Sequence, residues 1–344
     1  MQMKRNRVVS VLMALALSAG LMGCAASQPK TTATPQPTQG EFQGEEVRLA
    51  VISGPTGIGA AKLLSDSDNG QTVNDYTYTI ASDNNEVVSG LTSQDGEFDI
   101  AMVASNMAAN LYNKTEGDVK ILALGTQGVL HILEGKGGTA IQSMADLKGK
   151  TIYATGQGAN PEYILRHLLT ENGLNPDEDV EIVFADPTEI SAKLLSGEID
   201  TAMLPVPAAT AAIAKSQGSV RDAIDLTAAW NDLDNGSQLI MSAVVARADF
   251  IEEHPQAVKA FLEEYEASVT YVKENPQEAG ELVAGFGIAP SAAIAQQAIP
   301  QCNLVFVSGA DMKPAINGYF EVLYAIDPTA VGGAVPDDGI YYVP

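Results

Sequence analysis

Glycines and small polar side chains follow the predicted strands of this chain at several points. These residues are Gly54, Thr56, Gly57, Ser105, Asn106, Gln127, Gly156, Gln157, Gly158, Asn160 and Pro205. Glycine lets backbone N–H groups approach a bound molecule closely, and the start of a helix carries partial positive charge. Ligands of open α/β sheets lie at the carboxyl ends of the strands. We therefore predict that these residues line one site for a small anion or a strongly polar acceptor group.

The two glycine-rich turns also have structural interpretations. The stretch Gly54–Gly59 can be a tight turn alone. Asn160 can serve only as the N-cap of a helix that starts at Pro161, and Glu162 in the first helical turn can simply complement the helix dipole. The sequence leaves both interpretations open at each position.

The same choice applies to two further places. Ser105 and Asn106 can cap the helix that follows them instead of contacting a ligand, or do both. Trp230, the single tryptophan, either lines a cleft or packs at a hinge near an expected chain crossing.

Residues suited to catalysis are scarce. His131, His167 and His254 fall on different predicted elements, and neither a Gly-x-Ser-x-Gly elbow nor a His-Glu-x-x-His motif is present. His131 and Glu134 stand three apart on a predicted strand, so their side chains point to opposite faces and are poorly placed to share a metal. We therefore predict no enzyme activity, no metal site and no cofactor.

The first glycine-rich turn does not match a nucleotide-binding pattern either. A phosphate-binding loop needs Lys and then Ser or Thr after Gly59, where Ala60 and Ala61 stand. Lys62 occupies the place of the third glycine of a dinucleotide fingerprint. The predicted loops also contain no arginine that could clamp a carboxylate or a sulfonate in a bidentate manner, so the charge of the ligand stays open.

Charge and cysteine content limit the classes of partner. The formal net charge is −24, which argues against nucleic acid or an anionic membrane surface as a partner. The only cysteines are Cys24 and Cys302. We predict that Cys302, which precedes an apolar run, is a buried small hydrophobic residue and not a nucleophile.

The N-terminal segment has the features of an export signal. Lys4, Arg5 and Arg7 precede a short apolar run that ends just before Cys24. The sequence Leu-Met-Gly-Cys at 21–24 resembles the lipobox of bacterial lipoproteins, in which the cysteine thiol receives a lipid. The resemblance implies a signal peptide over 1–23, lipidation of Cys24 and a flexible linker over 24–45. We expect an exported protein, anchored by lipid to the outer face of the cell membrane or lying in the periplasm.

Apolar runs alternate with helical patterns after this linker, which predicts an α/β fold with mostly parallel sheets. Predicted strands cover 47–53, 76–81, 99–105, 119–125, 151–155, 180–185, 201–204 and 238–246. Predicted helices cover 57–64, 85–92, 106–113, 161–171, 187–196, 207–215, 255–273, 276–284, 291–299 and 313–325. A helical tail after a second α/β half is typical of a two-lobed protein whose chain crosses over and returns.

Four phrases in this order resemble substrate-binding lipoproteins of ABC importers, in the nitrate, sulfonate and taurine branch. They are GPTGIG at 54–59, GEFDIA at 96–101, LKGKTI at 147–152 with GQGANPE at 156–162, and LLSGEIDTAMLP at 194–205. The resemblance implies a type II periplasmic-binding-protein fold with a ligand cleft between two lobes. Lobe one is expected at 46–126 plus 236–344 and lobe two at 127–235.

The same resemblance implies the partners of the protein. They are a small-molecule ligand and the permease and ATPase subunits of an importer, and we expect a monomer that closes around its ligand. Some relatives make a thiamine pyrimidine with a cysteine-rich segment, which a chain with one unlipidated cysteine lacks.

Three alternative functions remain for this sequence. A lipoprotein that senses a ligand for a membrane receptor would have the same features. An exported α/β hydrolase would need a nucleophile and base that are not evident. A purely structural lipoprotein would not need two glycine-rich strand ends aimed at one cleft.

Overall fold

Two β-sheets organise the computed structural model, which describes residues 42–82, 84–93 and 96–344. The first sheet has six strands in the order β11-β4-β10-β3-β1-β2 and the second has five in the order β7-β6-β8-β5-β9. We call each sheet, with the helices between its strands, lobe one and lobe two. The predicted signal peptide and Cys24 lie outside the described residues.

The strands of lobe one come from both ends of the described chain. They are β1 (Glu46–Ile52), β2 (Asp75–Ala81), β3 (Ile100–Ala104), β4 (Val119–Gln127), β10 (Ile240–Arg247) and β11 (Leu304–Ser308). The strands of lobe two are β5 (Leu130–Glu134), β6 (Thr151–Ala154), β7 (Glu181–Phe184), β8 (Thr201–Pro205) and β9 (Arg221–Asp225).

The helices follow the same division. In lobe one the bounds are α1 (Pro55–Ile58), α2 (Ala61–Asp68), α3 (Asn84–Thr92), α4 (Ser105–Lys114), α9 (Ala248–Glu253), α10 (Pro255–Glu274), α11 (Pro276–Gly285), α12 (Ala292–Ala298) and α13 (Met312–Ile326). In lobe two they are α5 (Asn160–Glu171), α6 (Pro187–Ser196), α7 (Ala208–Lys215) and α8 (Leu226–Asn231).

The strand directions agree with the predicted α/β class and add one detail. β1, β2, β3 and β4 run the same way, while β10 lies antiparallel between β3 and β4. In lobe two only β5 is reversed, between β8 and β9. β11 is also antiparallel to β4. Of the three reversed strands, β5 and β10 are the first strands after each chain crossing, and sequence periodicity does not reveal their direction.

The chain passes between the sheets twice. β4 ends at Gln127 and β5 begins at Leu130, and the return runs from α8 to β10 at Ile240. Asn303 holds the first crossing, since its carbonyl accepts from the Gln127 N–H at 3.0 Å and its amide donates to the Gly128 carbonyl at 2.7 Å. The distribution of the strands agrees with two lobes, while the boundaries at 126/127 and 235/236 stay a prediction.

The helical tail packs on lobe one through α10. Its Ser268 hydroxyl donates to the Gly59 carbonyl at 2.7 Å and accepts from the Leu63 N–H at 2.9 Å. Gly59 also ends α1 and separates it from α2, where the sequence predicts a single helix over 57–64. Cys302 is fully buried, as predicted, and burial raises the pKa of its thiol to about 12, which makes the thiol unreactive.

Candidate functional site

The first residue of α5 joins the two lobes. The Asn160 side chain donates from Nδ2 to the Ser105 hydroxyl at 3.2 Å and to the Met241 carbonyl at 3.3 Å. Ser105 begins α4 at the carboxyl end of β3, and its own hydroxyl donates to the Ile240 carbonyl at 2.6 Å. Lobe two therefore meets lobe one at the edge where the sequence predicts the ligand site.

Two amide oxygens in the first turns of α4 and α5 have no hydrogen-bond partner among the described residues. Asn160 is 2% exposed and Asn106 is 5% exposed, and Oδ1 of each is buried without a partner. The orientation of Asn160 is fixed, because the Met241 carbonyl can only accept and must face Nδ2. An unpaired buried acceptor costs about 1–3 kcal/mol, and a hydrogen-bond donor from a bound molecule would remove this cost.

The contact continues along one face of α5. Tyr163, one turn after Asn160, donates from its hydroxyl to Asp327 of lobe one at 3.4 Å. His167, one turn further, packs on Trp230 with ring centroids 4.8 Å apart, and Trp230 packs on Tyr319 of α13 at 5.5 Å. The spacing of i, i+3 and i+7 places all three α5 residues on one side of the helix.

Trp230 is therefore a packing residue between α5 and α13. It is 1% exposed, and its indole N–H donates to the Ser237 hydroxyl at 2.9 Å. Burial lowers the pKa of the neighbouring His167, whose Nε2 has no hydrogen-bond partner. Of the two interpretations that the sequence leaves for Trp230, the structure favours packing.

The glycine-rich turn before α5 is held by its own helix. The N–H of Gly158 donates to the Glu162 carboxylate at 2.8 Å, and the other oxygen of that carboxylate accepts from Arg166 at 2.8 Å. Gln157 and Gly158 are exposed. Gly158 has a φ of +69°, and a Cβ built there would meet nothing within 4 Å, whereas at Gly156 it would meet the ring of Pro161 at 2.6 Å. Open space thus lies beside Gly158 and not beside Gly156.

The start of α5 differs from the sequence prediction. The N-cap is Ala159, without a side-chain cap, and Asn160 is the first helical residue. The prediction of Asn160 as N-cap is wrong because its amide reaches across to lobe one, while Glu162 binds the N–H of the preceding loop. Similarly, Ala104 is the N-cap of α4, and Ser105 and Asn106 lie inside its first turn.

The turn after β1 contains two glycines with different surroundings. Gly54 has a φ of +91°, donates its N–H to the Ile288 carbonyl at 2.9 Å, and has nothing within 4 Å of a built Cβ. Gly57 is buried, and a Cβ there would lie 2.2 Å from the Ile52 carbonyl oxygen. Gly57 therefore lets α1 pack on β1, and Gly54 beside the partly exposed Thr56 is the more open position.

Two other predicted residues lie at the ends of their strands. Gln127 ends β4 and donates to the Gln238 amide oxygen at 3.5 Å, which pairs the two chain crossings. Pro205 ends β8, where it pairs with Leu130 in the sheet. Sequence reasoning missed Met241, Tyr163 and Asp327; the spacing of Tyr163 after Asn160 is the signal that points to the second of these.

Each arginine in the described part of the chain is paired with a carboxylate. Arg48 binds Asp99, Arg166 binds Glu162 and Asp177, Arg221 binds Glu134, and Arg247 binds Asp249. None of these cations belongs to the loops between the lobes. Among residues 42–82, 84–93 and 96–344, no group of three or more His, Cys, Asp or Glu side chains is placed to hold a metal ion.

No helix among the described residues has the length and apolar character needed to cross a membrane.

Comparison with known proteins gives the family. The model of the family described as NMT1/THI5 like matches residues 80–279, which is more than half of the chain. The chain therefore belongs to the NMT1/THI5-like family. A provisionally named binding protein of Brucella abortus is 28% identical over 176 residues, which are 51% of this chain and 52% of that protein. The chain thus spans about half the length of the curated relatives it matches.

Solved structures show the same fold over most of the chain. An ABC transporter protein of Parabacteroides distasonis has a TM-score of 0.69 and 24% identity, covering 87% of this chain and 98% of that one. The periplasmic aliphatic sulphonate binding protein SsuA of Escherichia coli has a TM-score of 0.66 and 18% identity, covering 86% and 96%. These likenesses confirm the predicted fold of a periplasmic binding protein.

Proposed function

We propose that this member of the NMT1/THI5-like family is the solute-binding component of an ABC importer. It captures a small polar or anionic molecule between its two lobes and delivers it, chemically unchanged, to a membrane permease driven by an ATPase. The observation that carries the proposal is the contact of Asn160 with Ser105 and Met241. It brings the carboxyl ends of strands from both sheets, where α/β sheets bind ligands, to a single place.

We further propose which groups bind the ligand. Gly54, Thr56 and Asn106 contact it from lobe one, and the loop Gly156–Asn160 contacts it from lobe two. A molecule held by both lobes favours the closed arrangement, since it makes contacts there that the open form lacks. Hinge bending at the crossings near Gln127 and Gln238 opens the cleft, and the closed form is what the permease recognises.

Binding is tested with purified protein and a library of small anions, sulfonates, amino acids, amides and vitamin precursors. We expect at least one compound to raise the unfolding temperature and to bind by calorimetry. Donor and acceptor dyes on Gln142 and Glu281, exposed residues of lobe two and lobe one, should report closure on addition of that compound. Binding without any change in the interlobe distance would contradict closure, and a folded protein that binds no compound would contradict the function itself.

Membrane attachment through a lipid on Cys24 belongs to the same proposal. A Cys24→Ala variant should leave the membrane fraction while it still binds ligand. A variant that still sediments with membranes would point to a different anchor.

A further inference from the structure

The unpaired polar group between the lobes is a hydrogen-bond acceptor, whereas an oxoanion site needs hydrogen-bond donors. Oδ1 of Asn160 is an acceptor, because the hydrogen bonds of Nδ2 fix the orientation of the amide, and it is buried without a donor. A sulfonate or a nitrate carries only acceptor oxygens, so it cannot supply the missing hydrogen. A ligand with N–H or O–H groups can.

The local charge points the same way. The start of α5 is the place where a helix favours an anion, yet the Glu162 carboxylate already accepts the Gly158 N–H there. Arg166 does not leave a free positive charge, because it contacts both Glu162 and Asp177. A second anion entering beside Glu162 would meet a carboxylate and no unpaired arginine.

We propose that the cleft selects a small, non-anionic molecule with N–H or O–H donors, such as an amide, an amine or an amidine, over sulfonates and other oxoanions. This inference rests on the proposed binding function. Asn160 is its specificity-determining residue, since its Oδ1 accepts from the ligand while its Nδ2 holds lobe one. Glu162 sets the preference against negative charge.

The same groups couple ligand binding to closure. With the lobes in contact through Asn160, Oδ1 of this residue has no partner, so closing the empty protein leaves a buried acceptor unpaired that water satisfies in the open form. A donor-bearing ligand that enters first removes this penalty. Closure is therefore favoured by the right ligand and opposed without it, which is the differential interaction that a population shift needs.

Matched probes test the selectivity. Benzenesulfonate, benzamide and benzamidinium share a ring and differ in the polar group; nitrate, urea and guanidinium do the same without a ring. In calorimetric titrations at constant ionic strength, benzamide or benzamidinium should bind at least tenfold more tightly than benzenesulfonate. Any donor-bearing, non-anionic compound found in the wider library should likewise bind at least tenfold more tightly than the matching oxoanion. Oxoanions that bind as tightly or more tightly would overturn this inference and leave the binding function standing. Absence of binding by every compound would instead count against the binding function.

Three variants assign the selectivity to residues. Asn160→Leu should weaken binding of the best donor-bearing compound at least tenfold. Ser105→Ala removes one of the two interlobe partners of Asn160 but keeps Oδ1, so its loss of affinity should be at least threefold smaller. Equal losses would show that Asn160 acts only through the lobe contact. Glu162→Gln should shift the ratio of oxoanion to amide affinity toward the oxoanion at least threefold; an unchanged ratio would refute its role. Circular dichroism of each variant checks that the chain is folded.

Discussion

The two ends of the lobe-one sheet treat polar groups in opposite ways. At the amino end of β3, the Asp99 carboxylate, 5% exposed, accepts from the Arg48 side chain and from the Arg48 N–H at 2.9 Å. At the carboxyl end of the same strand, Asn106 has an amide oxygen with no partner. β3 spans only Ile100–Ala104, so paired and unpaired polar groups lie a few residues apart.

At the amino end of β3, the polar groups are hydrogen-bonded to one another. Arg247 of β10 lies against Gly96, where a Cβ would come within 1.5 Å of its guanidinium, and Gly96 has a φ of +50°. The Gly96 carbonyl in turn accepts from Arg48, and Arg247 binds Asp249 at 3.0 Å. The donors and acceptors of this network are paired with one another, so the network ties β1, β3 and β10 together.

Hydrogen-bond satisfaction of the buried groups separates a structural polar cluster from a functional one. Both contain charged or polar residues near glycines, and the phrase 96–101 resembles the family as much as the phrase 54–59 does. Of these two clusters, only the one at the carboxyl end contains a buried side-chain atom without a hydrogen-bond partner, which a native fold tolerates where another group completes it. The comparison predicts large stability effects at the amino end and binding effects at the carboxyl end.

The largest effect is expected for Asp99→Ala. Removing this buried carboxylate leaves Arg48 without its carboxylate partner and takes an acceptor from the Arg48 N–H. We expect a loss of about 3 kcal/mol, the lower part of the range for breaking a buried pair, since Arg48 is partly exposed. Urea unfolding measures the loss, and ligand affinity should not change.

The control for this variant is Asp249→Ala, in the same network but with an exposed carboxylate. Its loss should stay below about 1 kcal/mol. Equal losses in the two variants would mean that burial of Asp99 does not matter and would remove the contrast between the two ends.

An intermediate effect is expected for Gly57→Val. The new Cβ would lie 2.2 Å from the Ile52 carbonyl oxygen and 2.6 Å from a Val51 methyl carbon, so α1 must move away from β1. Such overpacking costs about 1–3 kcal/mol, measured by urea unfolding. Gly285→Val is the control, because the space around Gly285 at the end of α11 is open. A Gly57→Val variant as stable as its parent would show that α1 is not packed as described.

Sequence alone predicts the class, the two crossings and most helices, since apolar periodicity and Pro or Gly at element ends act locally. It does not separate Gly57 from Gly158: both are glycines in turns, and only the neighbouring atoms show that the first is packed and the second is open. It also misplaces Asn160, whose N-cap role follows from local preference while its partners lie on α4 and β10. Contacts between lobes depend on tertiary structure that no local pattern contains.

The smallest expected effect is on the pH dependence of stability, to which two histidines of lobe two contribute. One is paired with a carboxylate and the other is not. Burial lowers the pKa of His131, but the hydrogen bond and charge of Asp222 at 2.9 Å, with the charge of Asp225, outweigh it, so the net pKa is raised. Burial lowers the pKa of His167 on Trp230, and Glu171 offsets this only in part. The two shifts have opposite signs.

Because the pKa of each histidine differs between the folded and unfolded chain, the free energy of unfolding depends on pH. Together the two histidines place a stability optimum near the unfolded histidine pKa of about 6.5. The contribution of His131 is present below this value and is lost as the pH rises through the raised folded pKa. The contribution of His167 is present above it and is lost as the pH falls, because the unfolded chain takes up the proton first. We expect Asp222→Asn to reduce the fall in the free energy of unfolding on the alkaline side of the optimum. We expect His167→Gln to reduce the fall on the acid side, between pH 5 and 6.5. Each change should be about 1 kcal/mol or less, measured by urea unfolding at a series of pH values. If Asp222→Asn flattened the acid side instead, His131 would not be the paired group that the contrast requires.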